Sequence, residues 1–106
     1  MIVTGGENVY PLEVENALEA CPGVIAAGVF GMPDEIWGET VAAAVVIDRG
    51  VLSEARLREY VQEHLAAHKQ PRRFVFVREL PYTRAGKLDR AALPQLAHSD
   101  TALLRS

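Results

Sequence analysis

The chain has 106 residues, 49% of them apolar and 24% charged, with a formal net charge of −3. That length fits one compact domain of the usual ~100–150 residues, and it can bury a core without disulfides or a structural metal. The single cysteine, Cys21, excludes an intrachain bridge; no apolar run approaches the ~18 residues of a membrane span and no secretory-type leader is visible, so a cytoplasmic location is expected.

In chain order, Met1 to Thr4 reads as a piece of strand leading into a turn at Gly5-Gly6. Pro11 suits the first position of a helix, where its missing N–H costs nothing. Val14, Ala17, Leu18 and Cys21 then recur at helical spacing, with Glu13, Glu15, Asn16 and Glu19 turned outward, and Pro22-Gly23 stops the helix. On that stripe Cys21 reads as core, not as a nucleophile. Val24 to Phe30 and Thr40 to Ile47 read as strands, with the loop Gly31-Met32-Pro33-Asp34-Glu35 between them. Their continuous apolar character implies a sheet covered on both faces. Ser53 is a good N-cap for a second helix, stapled by Leu52 and Leu57, with an inner face of Leu57, Tyr60, Val61, His64 and Leu65. His64 is expected at the edge of the core. Phe74 to Val77 gives a third strand, Pro81 to Gly86 a turn, and Asp89 to Leu93 a short helix ending before Pro94. The fold expected is a small α+β domain: a central three-stranded sheet flanked by helices, plus short N-terminal and lysine-loop strands. Residues 1–97 should form the domain and 98–106 a flexible tail.

Charge is split along the chain. Residues 1–48 carry eight acids and no Lys or Arg, whereas residues 69–90 carry seven bases against two acids. Such asymmetry suits an anionic partner for the basic segment, or pairing of the two segments with each other. A nucleic-acid partner is disfavoured by the acidic whole and by the lack of a recognised signature.

Two segments carry chemistry. Thr4-Gly5-Gly6-Glu7-Asn8-Val9-Tyr10-Pro11 joins paired glycines, which allow positive φ and close backbone approach, to the start of a helix. Pro81-Tyr82-Thr83-Arg84-Ala85-Gly86-Lys87-Leu88-Asp89-Arg90 shapes a tight loop that presents one lysine between two arginines, a pattern suited to phosphate. It is not a P-loop: the required glycine five residues before Gly86 is Pro81.

Together, G-G-E-N-V-Y-P-x-E-V-E near the start and P-x-T-x-x-G-K-x-x-R near the end resemble the C-terminal domain of the adenylate-forming enzymes. That superfamily includes acyl-CoA synthetases, luciferases and the adenylation domains of nonribosomal peptide synthetases. Pro22-Gly23-Val24, Gly31-Met32-Pro33-Asp34-Glu35, Trp37-Gly38-Glu39 and Lys69-Gln70-Pro71-Arg72 fit in the same order, so the resemblance spans roughly residues 2 to 93. It implies the mobile lid of an ATP-dependent acyl-CoA ligase, which joins a carboxylic or fatty acid to CoA through an acyl-adenylate, releasing pyrophosphate and then AMP. Lys87 matches the family's adenylation lysine. Gly5 and Gly6, with Glu7 beside them, match the loop that borders the CoA channel. Trp37 matches a CoA-nucleotide contact in some ligases, with a core role as the alternative. Lys69 and Arg72 are candidates for the CoA phosphates, or ordinary surface charge. The resemblance places Mg2+, the acyl pocket and most ATP/AMP contacts in a large N-terminal domain that is the lid's partner, with no metal site in the lid itself, so this chain alone is expected to be inactive. Two alternatives remain at this point. The acceptor could be a phosphopantetheine arm on a carrier protein, or the chain could be a stand-alone, non-catalytic lid homologue.

Overall fold

The structure, a computed structural model, describes residues 1–97. Its centre is a five-stranded sheet built from β1 (Ile2–Thr4), β2 (Glu7–Val9), β3 (Val24–Asp34), β4 (Gly38–Ile47) and β5 (Arg73–Phe76). The order is β2-β1-β4-β3, and β5 also pairs with β4. β4 therefore has β3 along one side, while β1 meets it at Thr4–Gly38 and β5 at Ala42 to Val45 on the other. Every pairing is antiparallel except β4–β5, whose parallel register needs a crossover. The helix α2 (Glu54–His64) supplies that crossover.

β4 explains the continuous apolar run. Val41, Ala43 and Val45 point into a core formed with α1 (Pro11–Glu19) and α2 through Val14, Leu18, Leu57 and Val61. Ala42 and Ala44 point the other way, into a second core with Val75, Leu80, Leu93 and Ala97. Both faces are covered, by helices on one side and by residues 80–97 on the other. Cys21 is 4% exposed in the first core, and burial pushes its thiol pKa up, so it stays a neutral thiol.

The expected elements hold with four corrections. The strands flanking residues 31–35 are longer than expected: β3 continues to Asp34, with Pro33 opposite Glu39. Pro33 is tolerated because β3 is a sheet edge, where a ladder N–H is not required. Glu15 does not face outward but is buried at 4% exposure. His64 is exposed; it stacks on Tyr60 at 3.9 Å between ring centres instead of lying at the core edge. The last helix does not stop before Pro94: a 3₁₀ turn at Arg90–Ala92 passes into helical residues 93–97, with Pro94 in the first turn where its ring fits. Ser53 caps α2 as expected, its hydroxyl accepting the Arg56 N–H at 3.0 Å, with Leu52 and Leu57 buried beside it. The tail expected over 98–106 lies outside the described residues. Among the described residues no helix is long and apolar enough to cross a membrane.

Candidate functional sites: a lysine hairpin and a tryptophan cleft

The lysine loop is a miniature hairpin. Tyr82 and Leu88 form an antiparallel bridge, the Thr83 N–H donates to the Lys87 carbonyl at 2.7 Å, and the Asp89 N–H donates to Pro81 at 3.0 Å. At its tip the Gly86 N–H returns to the Thr83 carbonyl at 2.9 Å, and Gly86 adopts φ +83°, a conformation that favours glycine. The Thr83 hydroxyl also accepts the Lys87 N–H at 3.3 Å. The backbone of Lys87 is thus fixed while its side chain is exposed, and among the described residues its ammonium has no carboxylate partner. The hairpin rests on Leu80, Leu88 and Leu93 in the second core.

Beyond the hairpin, Arg90 donates to both oxygens of Glu15, at 2.5 and 2.7 Å. These bonds raise the guanidinium pKa above its ordinary value, so it stays charged.

The second feature is a half-open cleft of about 240 Å3, lined by Thr4, Gly5, Glu7, Trp37, Val41, Ala67, His68, Gln70 and Arg72. That is below the roughly 300–1,000 Å3 of a complete small-molecule pocket, so the cleft forms one wall of a site. Gly5 (φ +58°) donates its N–H to the Trp37 carbonyl at 2.9 Å and lies directly against the indole. A Cβ on Gly5 would sit 2.8 Å from Trp37 Cε3, so only glycine fits there without a shift. The Trp37 backbone is pinned from the hairpin turn, where Asp34 accepts the N–H groups of Ile36 and Trp37, each at 2.9 Å. Those two bonds, with a smaller contribution from Arg72, hold the Asp34 carboxyl below its ordinary pKa. The Arg72 guanidinium lies over the Trp37 ring, 4.8 Å from its centre.

Of the residues singled out in the sequence, Gly5, Glu7, Trp37 and Arg72 meet in this cleft; Gly6 is adjacent but does not line it. Trp37 is 41% exposed and is not a core residue. Lys69 turns away: its ammonium pairs with Glu13 at 2.8 Å. The pairs Lys69–Glu13 and Arg90–Glu15 show that the acidic and basic segments engage each other, with His68–Glu7 (3.0 Å) beside them, while among the described residues Arg72, Arg78, Arg84 and Lys87 have no carboxylate partner. His68 and Gln70 had not been singled out as site residues. Gln70 belongs to the quoted Lys69-Gln70-Pro71-Arg72 motif, but His68 has no signal in the sequence apart from being a histidine beside it. Lys87 does not line the cleft, so the chain presents two separate features. Among the described residues no group of His, Cys, Asp or Glu side chains could hold a metal ion.

Comparison with known proteins places the chain in a family. Residues 13–87 match the family model of the AMP-binding enzyme C-terminal domain. The chain is 43% identical over 93 residues to the long-chain-fatty-acid–CoA ligase FadD13 of Mycobacterium tuberculosis, covering 88% of this chain and 18% of that protein. It is 42% identical over 96 residues to a 2-succinylbenzoate–CoA ligase of Bacillus mycoides, covering 91% of this chain and 20% of that one. Among solved structures, the amide bond synthetase McbA of Marinactinospora thermotolerans superposes with a TM-score of 0.82 at 42% identity, over 89% of this chain and 19% of McbA. The chain spans about a fifth of the length of the relatives it matches.

Proposed function

The chain belongs to the AMP-binding enzyme C-terminal domain family, and on that premise we propose that residues 1–97 act as the mobile lid of an ATP-dependent acyl-CoA ligase. The observation that carries the reading is Lys87: a backbone-fixed, exposed lysine without a carboxylate partner among the described residues, at the tip of a hairpin. In the first step its ammonium lies between the substrate carboxylate and the α-phosphate of ATP, orients both, and offsets charge as the acyl–phosphate bond forms and pyrophosphate leaves. Mg2+ and the acyl pocket are assigned to the larger partner domain, and a cytoplasmic location is part of the same proposal.

The cleft serves the second step, in which the acceptor displaces AMP. Gly6, with open space where a side chain would stand, leaves room for a thin pantetheine arm, Gly5 lets the Trp37 indole lie against the loop, Arg72 meets a phosphate, and the exposed part of the indole packs on the nucleotide base. Glu7 holds the rim through His68. Lys69, its charge balanced by Glu13, is not assigned a phosphate. CoA is the acceptor favoured by the names of the two ligases above, FadD13 and 2-succinylbenzoate–CoA ligase. The equal identity to an amide bond synthetase supports an amine as the second reading. Saturable turnover with free CoA, measured in the full ligase, supports the first; turnover with amines but not CoA supports the second, and dependence on a carrier protein supports a phosphopantetheine acceptor.

The lysine assignment is tested in the same enzyme with Lys87→Ala. Adenylation, followed by pyrophosphate exchange, should fall on the order of 10²–10³-fold. Acceptor transfer from supplied acyl-adenylate should persist. Equal loss of both would refute the assignment.

A further inference from the structure

The Arg90–Glu15 pair joins positions 75 residues apart. Glu15 Oε2 also accepts the Val29 N–H at 2.8 Å, and Arg90 Nη1 lies 3.5 Å from the Val29 carbonyl oxygen. Val29 belongs to β3, the edge of the sheet. At this residue the ion pair therefore stands where a neighbouring strand would, with an acceptor for the N–H and a donor for the carbonyl. α1 comes from one face of the sheet and Arg90 from the segment covering the other, so the pair clasps both layers around the edge. Next to it, Gly28 leaves a notch for the foot of the hairpin: a Cβ there would lie 3.0 Å from Leu93 Cδ2 and 3.4 Å from Leu88 Cδ2.

We propose that Glu15 and Arg90 are positioning residues for Lys87, fixing the base of the lysine hairpin against β3 so that the ammonium reaches a single place. The inference rests on the assignment of Lys87 to adenylation. Arg90 lies three residues from Lys87, and both of its terminal nitrogens are committed to Glu15, so it acts through the hairpin and not on substrate. A planar, bidentate fork fixes orientation as well as distance, which a lysine at position 90 cannot do. Misplacing a reacting group by about 1 Å can cost about 10²-fold in rate.

The test uses the full ligase with Arg90→Lys, Gly28→Ala, Lys87→Ala and the double variant Lys87→Ala/Arg90→Lys. Gly28→Ala presses on Leu93, under the hairpin, by a few tenths of an ångström and meets Leu88 at ordinary contact distance, leaving both members of the ion pair in place, and so covers the case in which Arg90→Lys does not fold. Arg90→Lys should lower kcat for adenylation about 10–100-fold, and Gly28→Ala should lower it in the same half-reaction by a smaller factor. The KM for ATP should change little and acceptor transfer from supplied acyl-adenylate should be retained. In the Lys87→Ala background, Arg90→Lys should cost nothing more. Equal loss of both half-reactions in both variants would mark the clasp as a general strut and overturn the proposal. Unchanged adenylation in Arg90→Lys and Gly28→Ala, beside a Lys87→Ala enzyme that has lost it, would overturn the positioning role while leaving the lysine assignment standing. Intact adenylation in Lys87→Ala would remove the lysine assignment, and the positioning role with it.

Discussion

Replacing Gly5 by alanine should move Trp37, and the size of the effect follows from the geometry. At φ +58° an alanine enters the left-handed region at a cost of about 1–2 kcal/mol, offset by about 0.5 kcal/mol from a less flexible unfolded chain. The new Cβ would lie 2.8 Å from Trp37 Cε3, against an ordinary carbon–carbon separation of about 3.5–4.0 Å, so the ring must retreat by roughly 0.7 Å or more. It can do so, because the indole is 41% exposed and the residue over it, Arg72, is also exposed. A net loss of about 1 kcal/mol is expected, a fall in Tm of roughly 4–8 °C for a domain of this size. Gly6→Ala is the control: its φ of +83° carries at least the same backbone strain, but nothing lies within 4 Å of the added carbon. Trp37 is the single tryptophan of this chain, so its emission reports on the cleft alone. Both variants should lose stability, and only Gly5→Ala should shift the emission. A Gly6→Ala shift as large as that of Gly5→Ala, or an unshifted Gly5→Ala, would show that the Gly5–Trp37 contact does not set the position of the indole.

Ser53→Ala removes the hydroxyl that accepts the Arg56 N–H and should cost about 1 kcal/mol, read by thermal melting, with Trp37 emission unchanged. Leu57→Ala empties a fully buried site between α2 and the sheet and should cost about 2–5 kcal/mol in denaturant titration. Asp34 gives a pH prediction. Its folded pKa is lowered, so its two hydrogen bonds contribute at neutral pH and are lost only as the pH falls through that lowered value. Trp37 emission should therefore stay flat down through pH 5 and change only below the ordinary carboxylate pKa of about 3.9, a transition that Asp34→Asn removes.

Much of this arrangement was legible because it rests on local chemistry. Pro11 starts α1, Ser53 caps α2, and the apolar run of β4 requires cover on both faces, which the two cores supply. The glycines and the lysine of the two quoted segments were likewise visible, since positive φ at Gly5 and Gly86 is a backbone requirement that the residue type announces. What stayed hidden depends on partners distant in sequence. Glu15 looks like an outward helix charge until Arg90 and the Val29 N–H are brought to it. Pro33 looks like a loop residue because nothing local reveals that β3 lies at an edge. Lys69 and Arg72 look equivalent in the sequence, yet Glu13 takes one and Trp37 holds the other. β1 and β5 share one side of β4, an arrangement that no spacing in the sequence records.

On the proposed function, two separate surfaces of this chain serve two successive steps. The most direct test compares Lys87→Ala and Trp37→Ala in the full ligase, with adenylation and acceptor transfer measured separately for each. Reciprocal losses are expected: Lys87→Ala fails in adenylation and keeps transfer, while Trp37→Ala keeps adenylation and raises the KM for CoA. Matching losses in both half-reactions for both variants would contradict that division.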